Sequence, residues 1–271
     1  MKNLLRIFVI LVEMFMLSGC SSHKLVLGVP IRDDFEGSQL SDLWEADKIV
    51  PTDLKLQNAI VRNGHGALQI TLHTHDKFAA GRNGSKDIER AELTEADCLF
   101  FRQGEKYAQS FSVFLPGDFP IVKTRLVLAQ WKQDCPDGHT CDDDSPVLAI
   151  RYESGTLYIT KKTSERQIIL WRSTEEFRNR WLNFRFITSF DTSAGGCIVG
   201  YLNDSCIVNY TGPTAYKEGD PNGYPAPGIF YFKMGLYRDV MSDPMTIYFD
   251  DYSKEFLGNN FPLNAKESLS K

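Results

Sequence analysis

The feature that most constrains this chain is an alternating run near its C-terminus, Tyr-Phe-Lys-Met-Gly-Leu-Tyr-Arg at residues 231–238. Successive side chains of a β-strand point to opposite faces. One face of the run therefore carries Tyr231, Lys233, Gly235 and Tyr237, and the other face is mostly apolar. A glycine between a cation and a phenol leaves room for a flat group to approach the backbone. We interpret the polar face as the floor of a site for a polar ring.

Similar β-rich runs recur along the chain, separated by turn signals such as Asn63-Gly64 and Pro116-Gly117. Helical periodicity is scarce, and only residues 175–178 are predicted to form a brief helical turn. Many short strands with frequent turns favour an all-β sandwich of antiparallel sheets. Residues 33–36 and 248–252 are expected to be terminal strands that pair and close it. The other predicted strands are 67–72, 91–101, 109–115, 125–131, 147–152, 156–161, 181–190, 198–202, 229–237 and 245–252.

The N-terminus is typical of an export signal. Basic residues precede an apolar stretch at 7–17, which ends in Leu-Ser-Gly-Cys at Cys20. This ending resembles a bacterial lipoprotein signal, and the stretch is too short to span a bilayer comfortably as a membrane helix. We therefore predict a signal peptide at 1–19, lipidation of Cys20 and a tether at 20–30. The two serines after Cys20 favour the outer membrane, with membrane contact through the lipid only.

The rest of the chain, about 250 residues, fits one large all-β domain as well as two small ones. The net charge of −5 does not support attraction to nucleic acid. Cys135 and Cys141 bracket a short polar loop and are candidates for a disulfide, since export permits one. No Cys-x-x-Cys pair occurs, which argues against a zinc site. A monomer with a loose polar tail at 258–271 is expected.

Two further stretches have polar faces like that of the C-terminal run. In 89–93, Arg90 and Glu92 face away from the core, and in 128–132 Gln130 and Lys132 do so. An isolated Arg–Glu pair two residues apart is usually a surface ion pair of little energetic weight. If the three strands share one sheet, however, its open face gathers a cluster of cations suited to carboxylates, with arginine giving bidentate geometry.

Together the three motifs resemble those of jelly-roll polysaccharide lyases. The alginate-lyase and heparin-lyase types carry Arg-x-Glu-Leu, Gln-x-His and Tyr-Phe-Lys-x-Gly-x-Tyr strands. This chain has Arg-Ala-Glu-Leu at 90–93, Gln-Trp-Lys at 130–132 and Tyr-Phe-Lys-Met-Gly-Leu-Tyr at 231–237. The Phe-Ser-Val-Phe-Leu-Pro segment at 111–116 is similar to the glucuronan-lyase and heparin-lyase-I branch. The resemblance implies a concanavalin-like β-jelly-roll sandwich of two curved antiparallel sheets over 31–257.

The resemblance also implies β-elimination on an acidic polysaccharide that contains uronate. Tyr237 is the expected base, and it can return a proton to the leaving oxygen. A free phenol loses its proton only near pH 10, and neighbouring cations are expected to favour the phenolate. Candidate residues for neutralising the substrate carboxylate are Gln130, Arg90 and Lys132. Candidate substrate-binding residues are Glu92, Lys233, Tyr231, His73 and His75.

The chain departs from the family at Lys132, where many relatives have histidine. Lys132 acting as a neutral base beside two other cations is the alternative to Tyr237. His73 and His75 continue the polar face of the predicted strand at 67–72, and either would restore an imidazole. The alternative is a pair of surface histidines at the strand end.

The missing histidine favours glucuronate or mannuronate over guluronate. In the first two sugars the C5 hydrogen and the C4 oxygen lie on the same side, so one tyrosine can serve both. The alternative function is a non-catalytic carbohydrate-binding protein on the same fold. A hydrolase would need two carboxylates across the scissile bond, and Glu92 is the only acid in the three motifs.

No cofactor is expected for the chemistry. The acid-rich loop at 134–144 offers oxygen ligands of the kind that calcium prefers, but it lacks the regular spacing of a calcium-binding loop. The resemblance allows a structural calcium between the terminal strands, near Asp34 or Asp250.

Overall fold

A computed structural model of the chain describes residues 24–46, 49–76, 88–135, 141, 145–164, 166–217, 224–259 and 261. The predicted signal peptide, Cys20 and most of the predicted tail lie outside these residues, and so does most of the acid-rich loop. Within the described ranges no helix is long and apolar enough to cross a membrane.

The described residues form two antiparallel sheets of eight strands each. We call them the site sheet and the back sheet. The site sheet has the order β11 (Gln167–Ser173), β10 (Thr156–Lys162), β9 (Leu148–Glu153), β8 (Leu126–Gln133), β15 (Ile229–Asp239), β5 (Ile88–Glu95) and β2 (Trp44–Glu45), with β6 (Phe101–Arg102) beside β15. The back sheet has the order β14 (Ser205–Thr211), β13 (Cys197–Leu202), β12 (Arg180–Ser189), β7 (Lys106–Leu115), β16 (Met245–Phe256), β4 (Ala67–Leu72) and β3 (Leu54–Gln57), with β1 (Ile31–Asp33) beside β16. Two short 3-10 turns occur at Pro51–Asp53 and Asp97–Leu99.

The core lies between the sheets and is rich in aromatic side chains. Trp131 of β8 packs against Phe186 of β12 and Phe232 of β15, with ring centroids 5.0 and 4.8 Å apart. Phe111 of β7 lies 5.1 Å from Phe232. Alternation along each strand aims these rings at the same layer, and burying each one contributes about 2–3 kcal/mol to stability. In β5, β8 and β15 the apolar side chains point into this core. The polar side chains that alternate with them therefore face outward.

The two ends of the domain pair as predicted, since Asp33 of β1 lies opposite Tyr252 of β16. The predicted bounds of the front strand, 33–36, are wrong, because β1 spans Ile31–Asp33. The single strand predicted at 91–101 is wrong, because β5 ends at Glu95 and the turn at Asp97–Leu99 precedes β6. The predicted helical turn at 175–178 is also wrong. Arg178 instead forms an isolated parallel bridge with Leu115.

Both ends of the domain are tied to the back sheet. In the described part of the predicted tether, Val26 pairs with Val29, and the amide of Gly28 donates a hydrogen bond of 2.9 Å to the carbonyl of Phe256. At the other end, the Lys106 ammonium donates to the carbonyl of Phe261 at 2.8 Å. The first residues of the predicted tail are therefore held by the fold.

The predicted disulfide between Cys135 and Cys141 is confirmed, with Cα atoms 6.0 Å apart. It closes the start of the acid-rich loop directly after β8. Cys197 and Cys206 are free thiols.

Candidate active site

The three predicted motifs meet in the site sheet. Strand β15 lies between β8 and β5 and pairs with both. Lys233 faces Gln130 on β8, and Tyr237 faces Arg90 on β5. The polar face of β15 therefore joins the polar faces of its two neighbours, and we call this outward surface the site face.

A chain of contacts links the predicted residues on the site face. The Gln130 amide donates to Glu92 Oε1 at 2.5 Å, and Glu92 Oε2 lies 3.2 Å from Arg90 Nε. The Arg90 guanidinium stacks on the Tyr237 ring, 4.7 Å from its centroid. Glu92 is buried, and its Oε2 has no hydrogen-bond partner among the described residues. Its position favours holding Gln130 and Arg90 in place over direct contact with a substrate.

The sequence reasoning missed two arginines near Tyr237, Arg125 and Arg151, and the tyrosine beside the second of them, Tyr158. Arg125 lies 5.5 Å from the centroid of the Tyr237 ring and pairs with Asp239 at 2.6 Å. Arg151 of β9 donates from Nε to Thr160 at 3.0 Å. Arg151 and Tyr158 are adjacent across β9 and β10. The sequence did hold a signal for Arg151. It lies between the apolar residues Ile150 and Tyr152 in β9, and alternation along a strand places it on the face opposite to theirs.

Charges near Tyr237 act on one another. Burial lowers the pKa of Arg151, and the positive charge of Arg125 lowers it further. The two tyrosines, Tyr158 and Tyr237, raise the pKa of Arg151 and so oppose this effect. Burial also raises the pKa of Tyr158, against the effect of Arg151. The Tyr237 ring therefore lies beside the guanidinium groups of Arg90 and Arg125, which can stabilise an anion that develops there.

The two predicted lysines lie at the far end of the site face from Arg90. Lys132 and Lys233 are 7% and 3% exposed, so both ammonium groups are largely withdrawn from solvent. The Lys233 ammonium lies 5.2 Å from the centroid of Tyr231, and Tyr231 stacks on Phe100 at 5.4 Å. Tyr231, Phe100 and Thr94 also line a groove of about 610 Å³ at this end of the sheet.

Gly235 does not leave room for a ligand ring, so that prediction is wrong. A Cβ atom at this position would lie 2.1 Å from the Ala91 carbonyl oxygen and 2.8 Å from the Glu92 Cα. The space beside the glycine is filled by the backbone of β5. Its φ of 140° also belongs to a region that other residues rarely adopt. The glycine thus permits close approach of two strands of the sheet.

His73 and His75 lie in the connection that follows β4, because that strand ends at Leu72. The His73 ring contacts the carboxylates of Asp53 and Asp76, at 3.0 and 3.2 Å. The amide of His75 donates to Glu89 at 2.5 Å. The role of both histidines in substrate binding stays a prediction.

The structural calcium that the resemblance allows near Asp34 or Asp250 stays a prediction. Asp250 Oδ2 accepts the amides of Arg62 and Asn63 at 2.9 and 3.3 Å, and Oδ1 accepts the amide of Asp251 at 2.8 Å. The Arg62 guanidinium pairs with Asp251 at 2.6 Å. Both carboxylate oxygens of Asp250 therefore have donors from the protein itself. We therefore derive no step through calcium.

Comparison with known families identifies the chain. The sequence profile of the family described as polysaccharide lyase matches residues 34–253. The chain belongs to this polysaccharide lyase family. Among curated proteins, no sequence matches it significantly.

Solved structures agree with this lyase family on the fold. The endo-β-1,4-glucuronan lyase of the fungus Trichoderma reesei is 13% identical, with a TM-score of 0.59 over 88% of this chain and 97% of that chain. The cellulose induced protein Cip1 is 16% identical, with a TM-score of 0.51 over 83% of this chain and 96% of that chain. The alginate lyase AlgAT5 of polysaccharide lyase family 7 is 17% identical, with a TM-score of 0.48 over 72% and 80%. At these identities the likeness to the glucuronan lyase and to Cip1 concerns the fold, and with the two antiparallel sheets it confirms the predicted jelly-roll sandwich.

Proposed function

We propose that this polysaccharide lyase cleaves a uronate polymer by β-elimination, with glucuronate or mannuronate at the cleaved position. The observation that carries the proposal is the contact chain from Gln130 through Glu92 and Arg90 to Tyr237 on one open sheet face. The fold likeness to a glucuronan lyase supports the substrate class.

The chemistry begins with removal of the proton at C5 of the uronate. This proton is a weak acid, since the adjacent carboxylate already carries negative charge. The guanidinium of Arg90 and the amide of Gln130 would bind the carboxylate and stabilise the dianionic intermediate as charge develops. A Tyr237 phenolate would accept the proton.

The elimination is then completed without water. The electron pair left on C5 forms the C4–C5 double bond, and the bond between C4 and its oxygen breaks. The leaving oxygen takes up the proton that Tyr237 removed. The products are a new chain end and an unsaturated uronate at the other end, so atoms and charges balance with no cofactor.

The two lysines would extend recognition of the polymer beyond the reacting sugar. Lys132 lies opposite Tyr231 across β8 and β15, and the Lys233 ammonium lies beside the Tyr231 ring, which lines the groove of about 610 Å³. Because both ammonium groups are largely withdrawn from solvent, they would act through their positive charge on a polyanion that lies across this face. Lys132 would keep the positive charge that a histidine has in many relatives.

The experiment compares the wild type with Tyr237→Phe on poly-glucuronate, poly-mannuronate and poly-guluronate. Ultraviolet absorbance of the unsaturated ends measures turnover. We expect turnover on the first two polymers only. In these polymers the C5 hydrogen and the C4 oxygen lie on the same side of the sugar ring, so a single tyrosine can remove the proton and return it to the leaving oxygen. Loss of the phenol should lower kcat by about 100-fold or more while polymer binding remains.

Tyr201→Phe is the matched control, because Tyr201 is also stacked with an arginine, Arg185 at 4.6 Å, but on the back sheet. It should leave turnover unchanged. Equal rates on poly-guluronate would refute the stereochemical assignment. Full activity of Tyr237→Phe would refute Tyr237 as the base, and binding with no turnover by the wild type would favour the carbohydrate-binding alternative.

A further inference from the structure

Three potential metal ligands converge next to the end of β4. His73 Nδ1 lies 3.0 Å from Asp53 Oδ1 and 3.2 Å from Asp76 Oδ2. One ligand atom from each of the three residues lies within 4.8 Å of the others. Asp53 comes from the 3-10 turn before β3, and the other two residues come from the connection between the sheets.

The charge of this cluster is not balanced by the described residues alone. Asp53 is only 2% exposed, and its Oδ2 is buried with no hydrogen-bond partner among the described residues. Asp76 brings a second carboxylate to the same place, where the two acids act on each other. A buried oxygen without a partner, beside a second carboxylate, needs a proton or a cation.

We propose that Asp53, His73 and Asp76 form a site for a divalent transition metal, with zinc as the best fit. Zinc binds nitrogen and carboxylate oxygen at about 2.0–2.2 Å, which places neighbouring ligand atoms of a tetrahedral site about 3.3–3.6 Å apart. The distances from His73 Nδ1, 3.0 and 3.2 Å, are a few tenths of an ångström shorter, so a small outward shift of the ligands would admit the metal. Three protein ligands leave a fourth position for water.

The imidazole decides which kind of metal fits. Calcium and magnesium prefer shells made of oxygen atoms, whereas imidazole suits zinc and its transition-metal neighbours. A metal at this site would also fix the start of β5, the strand that carries Arg90, because the Arg90 amide donates to the Asp76 carbonyl at 3.2 Å. The metal would thus fix the position of β5 from outside the site face.

The test measures zinc directly on the tag-free full chain, after chelator treatment and dialysis. Calorimetric titration with zinc chloride, and metal analysis after a second dialysis, should give one zinc per chain for the wild type. His73→Gln and Asp76→Asn should each weaken zinc binding at least tenfold. His65→Gln is the control, because His65 is exposed and makes its hydrogen bond to Glu36 through its backbone amide. It should bind zinc like the wild type.

Calcium chloride in excess should not displace the zinc. Absence of stoichiometric zinc on the wild type would overturn the proposal and would leave the three side chains as a hydrogen-bonded cluster. If both site variants bound zinc as tightly as the wild type, the proposal would be overturned as well. Circular dichroism of the metal-free variants shows whether they fold, and two different substitutions keep the test decisive if one does not. Since no substrate is present, the outcome does not depend on the proposed lyase activity.

Discussion

At the scale of single residues, two arginines act on the Tyr237 ring with different strength. Arg90 lies 4.7 Å from the ring centroid and its side chain is 29% exposed, whereas Arg125 lies at 5.5 Å and is 46% exposed. A unit charge at such distances is worth about 3 kcal/mol at an effective dielectric constant near 20, and about 1 kcal/mol in bulk water. Arg125 also shares its charge with Asp239, so Arg90 should dominate.

We therefore expect Arg90→Met to lower kcat/KM about 30-fold and Arg125→Met to lower it about fivefold, from losses of about 2 and 1 kcal/mol. Arg185→Met removes an equally stacked arginine from the back sheet and should have no effect. Initial rates on poly-glucuronate measure all three variants. If Arg125→Met lowered kcat/KM more than Arg90→Met, distance from the ring and exposure would not determine which arginine contributes more to catalysis.

At the scale of elements, the close approach of β15 to β5 depends on Gly235. An alanine there would bring Cβ to within 2.1 Å of the Ala91 carbonyl oxygen at a φ of 140°, so the two backbones must separate. The strained φ alone costs about 1–3 kcal/mol, and displacing the backbone adds to it. We expect Gly235→Ala to lower Tm by roughly 5–10 °C, at 2–4 °C per kcal/mol for a domain of this size.

Activity of Gly235→Ala should fall even at temperatures where the variant is folded, because Tyr237 and Arg90 lie on the two strands that move apart. Gly195→Ala is the control, since its nearest neighbour, the Ser193 hydroxyl, is at an ordinary 3.4 Å. Thermal unfolding followed by circular dichroism compares the two. Equal Tm values for both variants would mean that the sheet absorbs the extra methyl group.

The sequence predicts the faces of β5, β8 and β15 because a period of two is a local property of each strand. It does not predict which strands lie side by side, and for that reason Arg125, Arg151 and Tyr158 were missed. The wrong interpretation of Gly235 has the same origin, since the atom that fills its space belongs to another strand. Alternation within a strand therefore identifies candidate site residues, whereas their neighbours in the site are known only once the order of the strands in the sheet is known.

The cluster at His73 shows a second limit of local pattern. Alternation extended through residue 75 predicts a strand, but His75 adopts a φ of 68° and the His73 amide donates to the Asp76 carboxylate at 2.5 Å, which closes a turn. Asp53 is 20 residues away in the chain. A search for closely spaced pairs of cysteines does not find these three potential metal ligands. They come together only because the turn that contains Asp53 packs against the end of β4.

At the scale of the whole molecule, a buried polar network ties the two sheets together. Lys254 of the back sheet lies 2.8 Å from Glu95 of the site sheet, and both side chains are fully buried. Tyr252 and Gln109 also donate to Glu95. Burial lowers the pKa of Lys254 to about 8, against the opposing effect of Glu95. The sandwich therefore holds an ammonium group that loses its proton more easily than in the unfolded chain.

This network gives the stability of the molecule a particular dependence on pH. Between pH 8 and about 10.5 the unfolded chain holds a proton on Lys254 that the folded chain has released, so stability rises with pH through this group. From pH 8 to 9.5 we expect the free energy of unfolding of the wild type to gain about 1.5 kcal/mol relative to Lys254→Met. Urea unfolding at both pH values measures this difference. Lys55→Met, at an exposed position of β3, should follow the wild type, because its ammonium is not withdrawn from water. A constant gap between the wild type and Lys254→Met would mean that Lys254 keeps its proton in the folded state, and that the contact with Glu95 outweighs the cost of burial.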